Sequence, residues 1–253
     1  MKVVILAGGL GTRLSEYTKT IPKPMVKIGK LPIIIHIINH YASYGLKDFY
    51  IATGYKSNVI KKYFKQFKRN GEAFKTKILN KSCNITIVDT GKKSLTGGRL
   101  KRIKKYLQKD ENFMFTYGDG ISSVNIEKLK EFHLKNKKLV TVTAVRPQAR
   151  FGELILKKNT VLSFKEKPQV TNGWINGGFF IAKVSFLNFI IRDSDILEKM
   201  PLEKASKKKQ LIAFKHYGFW KCMDIKRDKD ELEKIYKLNN FIWSKKKNNE
   251  KIF

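Results

Sequence analysis

One short stretch near the start of the chain combines the residue types that handle phosphate. Gly8-Gly9-Leu10-Gly11-Thr12-Arg13 sets three glycines and a guanidinium side by side. Glycines let backbone N–H groups turn toward an anion, and a helix beginning just after them adds partial positive charge. About ten residues further on, Pro22-Lys23-Pro24 confines a lysine between two prolines, which restricts where its ammonium can point. An aimed cation beside a phosphate cradle suits a reaction that builds negative charge on phosphorus. The loop is not a dinucleotide fingerprint, because Leu14 stands where a third glycine belongs, and not a P-loop, because no Gly-Lys-Ser/Thr follows. Asp119 follows the apolar run Phe113–Tyr117 and lies between Gly118 and Gly120. A carboxylate exposed at a strand end is a ligand that an oxygen-loving Mg²⁺ on a triphosphate can use. Asp224, after the aromatic stretch Gly218-Phe219-Trp220, is equally compatible with a helix N-cap or a surface carboxylate. His36 and His40 share the i, i+4 spacing of a metal pair, but Ile37-Ile38-Asn39 between them supplies no glutamate, so packing or a helix hydrogen bond is expected.

These residues need a scaffold that brings strand ends together. Val3–Ala7, Phe49–Thr53, Ile85–Val88, Asn112–Tyr117, Leu139–Val145 and Gly178–Ala182 read as strands. Ile33–Tyr44, Asn58–Phe67, Arg99–Gln108, Glu127–Asn136, Ser185–Ile191 and Asp228–Leu238 read as helices, and Leu154–Leu156 with Val161–Phe164 as a hairpin around Lys158-Asn159. The alternation predicts an α/β fold, a mostly parallel sheet with helices on both faces and a mixed, partly antiparallel region late in the chain. In such sheets ligands sit outside the carboxyl ends of the strands, where the glycine loop is. With no repeats and no Pro/Ser/Gly linker, residues 1–253 read as one domain.

Composition narrows the partners. Of 253 residues, Lys and Arg account for 53 against 21 Asp and Glu, a formal charge of +32. A hydrophobic share of 42% excludes a disordered or fibrous chain. The positive charge is mostly lysine, spread along the chain without a long basic tail, whereas nucleic-acid readers favour the forked guanidinium. No nucleic acid is therefore expected, although a basic field draws in polyanionic small molecules. The apolar start, Met1–Ala7, is too short for a secretion signal and leads into glycines. No apolar run reaches the ~20 residues of a membrane span, so a cytoplasmic protein without membrane contact is expected. Cys83 and Cys222 form no CxxC and support neither a disulfide scaffold nor a cysteine zinc site.

Leu6-Ala7-Gly8-Gly9-Leu10-Gly11-Thr12-Arg13-Leu14, taken with Pro22-Lys23-Pro24-Met25, resembles the signature of the nucleoside-diphosphate-sugar pyrophosphorylases, the sugar-1-phosphate nucleotidyltransferases. The resemblance implies a Rossmann-like three-layer α/β/α sandwich, the nucleotide-diphospho-sugar transferase fold, with a small sugar-binding portion from about residue 146 onward. Val88-Asp89-Thr90-Gly91, Leu95–Arg102, Thr116–Gly120, Phe164–Pro168, Ile175–Phe180 and Gly218–Asp224 narrow it to the branch that joins CTP to glucose 1-phosphate, over Met1 to about Leu238. It implies that Leu6, Ala7, Gly8, Gly9, Leu10, Gly11, Thr12, Arg13, Lys23, Ser94, Arg99 and Gly118 bind CTP, with Arg13 and Lys23 catalytic. Arg99 is then a guanidinium facing acceptors of cytosine, and its neighbours Lys101 and Arg102 are solvated cations. By the same resemblance Phe151, Gly152, Glu166, Lys167, Asn176 and Gly177 take the sugar phosphate, Asp119 and Asp224 hold Mg²⁺, and the chain forms a homo-oligomer, a hexamer in the family. The implied reaction is an in-line displacement at the α-phosphorus of CTP, in a pathway to a modified hexose for surface polysaccharide. This chain departs from its relatives in reading Thr20-Ile21-Pro22-Lys23-Pro24 where they read Lys-Pro-Lys-Pro, in a shorter segment from Lys65 to Asn84, and in Ser94 for threonine. Rival readings are a sister enzyme using another pyrimidine triphosphate or sugar 1-phosphate, a non-catalytic interaction protein of this fold, and a basic nucleic-acid binder.

Overall fold

Every residue of the first strand, β1 (Val3–Ala7), is apolar and buried, as a strand covered on both faces requires. Val3, Ile5 and Ala7 enter one core and Val4 and Leu6 another, the two-residue alternation of an extended chain. The computed structural model describes residues 1–70, 73–78, 81–147, 153–165, 173–238 and 242–243. After β1 come α1 (Ser15–Thr18), β2 (Lys27–Ile28), β3 (Leu31–Pro32), α2 (Ile33–Ser43), β4 (Asp48–Thr53), α3 (Ser57–Phe64), β5 (Lys68–Asn70), β6 (Ala73–Ile78), β7 (Lys81–Asp89) and α4 (Thr96–Ile103). The chain continues through β8 (Asn112–Tyr117), β9 (Gly120–Ser122), α5 (Ile126–Asn136), β10 (Val140–Val145), β11 (Glu153–Lys157), β12 (Thr160–Lys165), β13 (Ile175–Lys183), α6 (Met200–Lys207), β14 (Leu211–His216), β15 (Trp220–Cys222) and α7 (Lys226–Lys237).

A nine-stranded sheet in the order β14-β10-β13-β8-β1-β4-β7-β6-β5 organises the molecule. Its centre, β8-β1-β4-β7, is parallel, so the carboxyl ends of these strands share one edge. Late in the chain β13 enters antiparallel between β8 and β10, while β14 runs parallel to β10. Strands β13 and β14 thus complete the same sheet, whereas β11 pairs with β12 and β15 with β9. One face is covered by α2, α3 and α5 through residues such as Ile34, Ile38, Tyr41, Ile60, Phe64 and Leu129. The other is covered by α4, α6 and a 3₁₀ turn at Val184–Phe189, through Leu100, Ile103, Phe186, Leu187 and Leu202. These are the three layers expected from the sequence. Full burial of each such side chain contributes about 1.5–3 kcal/mol. The region expected as a helix at Ser185–Ile191 is that 3₁₀ turn, which stops at Phe189 because Ile190 takes up an extended backbone to reach the same core as Phe186 and Leu187.

A third cluster lies outside the sandwich. Leu14, Val26, Ile28, Ile121, Met223 and Leu232, with Trp243, pin α7 and the short pairs β2/β3 and β9/β15 beneath the glycine loop. Among the described residues no helix is long and apolar enough to cross a membrane.

Candidate active site

The loop after β1 is shaped from below by Arg99. This residue lies in the first turn of α4 and points under the sheet edge with only 4% of its surface exposed. Its Nη1 donates to Thr53 O at 3.0 Å, Thr90 Oγ1 at 2.8 Å and Gly91 O at 3.0 Å, and its Nη2 donates to Gly8 O at 2.8 Å. A Cβ added at Gly8 or Gly54 would stand 2.1 or 2.3 Å from Nη1, so the guanidinium occupies the space both glycines leave. One planar cation thereby ties together the ends of β1, β4 and β7. Burial lowers the Arg99 pKa, with the charge of Asp89 acting the other way. The sequence reading set this guanidinium against base acceptors; in the structure its Nη1 and Nη2 face protein oxygens, because three strand ends present them within its reach. Lys101 and Arg102 are exposed as expected, but they bridge to Ile191 O and Asp193. Ser94 is buried and donates to Thr90 O, and the Leu95 and Gly97 amides donate to Asp193 O and Asp195 O. An open cavity of about 440 Å³ adjoins this loop, lined by Gly91, Lys92, Lys93, Ser94, Arg102 and Asp193 among others.

Further along the loop, Gly11 adopts φ +68°, a left-handed conformation that favours glycine, and caps the 3₁₀ turn Thr12–Leu14. A Cβ there would also come within 3.2 Å of Lys23 Cβ. The loop and the lysine are therefore in direct apposition.

Lys23 begins a 3₁₀ turn, Lys23–Met25, its backbone direction fixed by Pro22 and Pro24. Its Nζ donates to Asp119 Oδ2 at 2.6 Å and to Asp224 Oδ1 at 2.7 Å. The two aspartates are 105 positions apart in sequence and meet because β9 and β15 pair antiparallel, Gly120 opposite Cys222. A further bond, Met223 N to Asp119 O at 2.9 Å, closes the pair on the side where both carboxylates emerge. Asp228, in the first turn of α7, accepts the Asp224 and Ile225 amides at 3.0 Å each and so sets the backbone of Asp224. Arg13 Nη1 reaches the other oxygen of Asp224 at 2.7 Å from an exposed position. Gly118 is buried between Leu6 O and Pro24.

Two cations and two carboxylates balance within this cluster. Burial works to lower the Lys23 pKa, but the charge of Asp119 and the hydrogen bonds to both aspartates outweigh it, so the ammonium is held above its ordinary value. For Asp224, burial works upward and is overcome by the hydrogen bond and charge of Lys23 and by Arg13, leaving the carboxyl below the usual range. Cys222 borders the same space, and burial pushes its thiol up. One oxygen from each aspartate and the Cys222 sulfur lie within 4.8 Å of one another, an arrangement able to hold a metal ion.

On the sugar side the structure describes only part of what the sequence pointed to. Asn176 Nδ2 donates to Tyr117 Oη at 3.1 Å, and Trp220 Nε1 donates to Gly177 O at 2.7 Å, which joins this strand to β15. Tyr117 also donates to Glu198. Phe151, Gly152, Glu166 and Lys167 lie outside the described residues. Thr90, Tyr117 and Cys222 lie in segments that carry the family resemblance but were given no role at the site, and Glu198 was not singled out; each acquires its place through partners distant in sequence. His36 and His40 behave as expected: both are buried, His36 Nε2 facing Ile28 O and the two nitrogens of His40 facing Trp243 O and Val124 O.

Comparison with known proteins places this arrangement. The nucleotidyl transferase family model matches residues 2–225. A glucose-1-phosphate cytidylyltransferase of Salmonella typhimurium is 44% identical over 96% of this chain and 98% of its own length. A Bacillus subtilis protein named a probable glucose-1-phosphate cytidylyltransferase is 35% identical over 96% of this chain and 99% of its own. Among solved structures, HddC from Yersinia pseudotuberculosis superposes with a TM-score of 0.70 at 24% identity, covering 93% of this chain and 99% of that one, a likeness of fold.

Proposed function

This chain belongs to the nucleotidyl transferase family, and from that membership we propose that it joins CTP to α-D-glucose 1-phosphate, forming CDP-glucose and releasing pyrophosphate. Its relatives across nearly full length are glucose-1-phosphate cytidylyltransferases, and it is an enzyme of the nucleotidyltransferase class. The observation that carries the site assignment is the ammonium of Lys23, held by Asp119 and Asp224 beside the glycine loop.

In this reading an oxygen of the sugar phosphate attacks the α-phosphorus of CTP, and the bond to the bridging oxygen of the β-phosphate breaks. A phosphate monoester is largely dianionic at pH 7, its second pKa being about 6, so no general base is required. Alignment and charge stabilisation do the work. The amides of Gly8–Arg13 face the β- and γ-phosphates, in a loop whose first carbonyl Arg99 holds down. Arg13, exposed and tethered among the described residues to Asp224, is free to fold over the triphosphate. Lys23 exchanges its carboxylate partners for oxygens of the α-phosphate as the nucleotide enters. The donor set suits a hard dication: two carboxylates converge on one positive charge, that of Lys23. Asp119 and Asp224 would hold Mg²⁺, which when bound supplies charge neutralisation for both reactants. Asn176, Gly177 and, outside the described residues, Phe151, Gly152, Glu166 and Lys167 are assigned to the sugar phosphate.

Pyrophosphate release measured with glucose 1-phosphate and, in turn, CTP, UTP, dTTP and GTP tests this. CTP is expected to give the largest kcat/KM. A larger value for another triphosphate would replace the cytidylyl assignment with that of a sister enzyme, and no turnover with any of them would overturn the catalytic reading.

A further inference from the structure

Cys222 plays no part in the reaction as described, yet its sulfur stands among the groups that do. Its strand position opposite Gly120 puts it on the short ladder that brings Asp119 and Asp224 together. No neighbouring atom lies within 4 Å of the point where a side chain on Gly120 would begin, so that side of the ladder is open. Two residues before Asp224, the Cys222 thiol lies beside that carboxylate. Its sulfur and one oxygen of each aspartate lie within 4.8 Å of one another. Metal–oxygen distances of about 2.0–2.2 Å and a metal–sulfur distance of about 2.3 Å set the ligand atoms of one ion no more than about 4.5 Å apart, so a small closing of these side chains brings all three onto a single ion. A positive charge is already held there, since Lys23 contacts both carboxylates.

Two oxygens with water suit Mg²⁺, whereas a thiolate added to them suits Zn²⁺ or Cd²⁺. We propose that Cys222 is the third ligand of the Asp119–Asp224 cation site and turns it into one that takes thiophilic dications in preference to Mg²⁺. As the sulfur–metal bond forms, the thiol proton passes to solvent and the Lys23 ammonium withdraws from the carboxylates. A thiophilic ion so bound occupies the position the nucleotide's own dication needs, and the enzyme is inhibited by trace zinc or cadmium. The inference rests on the reading of Asp119 and Asp224 as the cation-holding pair.

The test is titration of the nucleotide-free protein with Cd²⁺, following the ultraviolet sulfur-to-cadmium charge-transfer band, with Cd²⁺ and Mg²⁺ affinities measured by calorimetry. Wild type is expected to develop the band to one equivalent and to bind Cd²⁺ more tightly than Mg²⁺. Cys222→Ser and Cys222→Ala should both lose the band and bind Cd²⁺ at least ~10-fold more weakly, with Mg²⁺ affinity nearly unchanged. Asp119→Asn should weaken both ions. A band that survives in the Cys222 variants would assign it to Cys83 and overturn the proposal. Wild type that binds Mg²⁺ without any band would overturn it while leaving the aspartate pair intact. Failure to bind either ion would remove the pair and this inference together, whatever the nucleotide assay shows.

Discussion

Two buried cations flank the glycine loop, and they are held in opposite ways. Arg99 sits among uncharged oxygens, with donors directed at three strand ends. Lys23 sits between two carboxylates, with Arg13 on the far side of one of them. A guanidinium with this many directed bonds has no better place to go; it belongs to the scaffold. An ammonium is a point charge that any anion of suitable charge can attract, and its carboxylates can accept another cation. The first arrangement preserves a shape, and the second is ready to be exchanged.

The comparison breaks most sharply at Lys23. Lys23→Ala should cut kcat by roughly 10²–10³, the loss seen when one preorganised donor to a developing charge is removed, with CTP binding affected less. It also leaves Asp119 and Asp224 facing each other, so some stability is lost as well. Steady-state kinetics alongside a thermal melt separates the two effects. A variant with normal kcat would mean that the ammonium never leaves the carboxylates during turnover.

Arg99→Lys should show the converse. One ammonium cannot reach four acceptors, although Gly8 O and Thr53 O retain the amides of Tyr55 and Thr90. The expected cost is about 1.5–3 kcal/mol of stability, that of losing hydrogen bonds to a charged group, with a raised KM for CTP and a smaller change in kcat. A fall in kcat as deep as that of Lys23→Ala, on an unchanged melting temperature, would show that Arg99 acts on the substrate and not through the loop.

How much of this the sequence revealed follows the same division. The strand, the glycines, Lys23 between its prolines and Asp119 at a strand end are local statements, and each was legible. The partnership of Asp224 with Asp119 came only through the family resemblance and not from the residues themselves, because it depends on pairing β9 with β15, strands of three residues each that no periodicity announces. Arg99 was visible as a residue of interest, but its direction was not, since the three strand ends that receive it are assembled only in the folded sheet. The edge strand β5, Lys68–Asn70, is three polar residues with no apolar signal, and β6 beside it carries lysine at alternate positions, unlike the continuous apolar run of β1. The edge strand β14, Leu211–His216, follows Lys207-Lys208-Lys209 and is only partly buried, so its apolar signal is weak as well. By contrast the hairpin around Lys158-Asn159 was readable from its turn, and Lys158 does adopt a positive φ of 52°.

The smallest effect comes with mild acid, and it separates both cations from the core. The Asp224 carboxyl is held below its ordinary value of 3.8, so its contribution is present above that pH and is lost only as pH falls through the lower, folded value. The Lys23 ammonium is held above 10.5, so its contribution is full below that value and lost only as pH rises beyond it. Neither cluster member therefore titrates between pH 7 and 6, and Arg99 stays charged throughout. The buried histidines differ. Burial pushes His40 and His133 from 6.5 down to about 4, so between these values the unfolded chain binds more protons than the folded one and stability falls with pH. From pH 7 to pH 6 each should cost up to about 1 kcal/mol, read as a lower melting temperature in wild type and in Lys23→Ala alike. If replacing Lys23 abolished that slope, the titrating group would sit in the cation cluster, and the exchangeable site would be coupled to pH in a way its geometry does not predict.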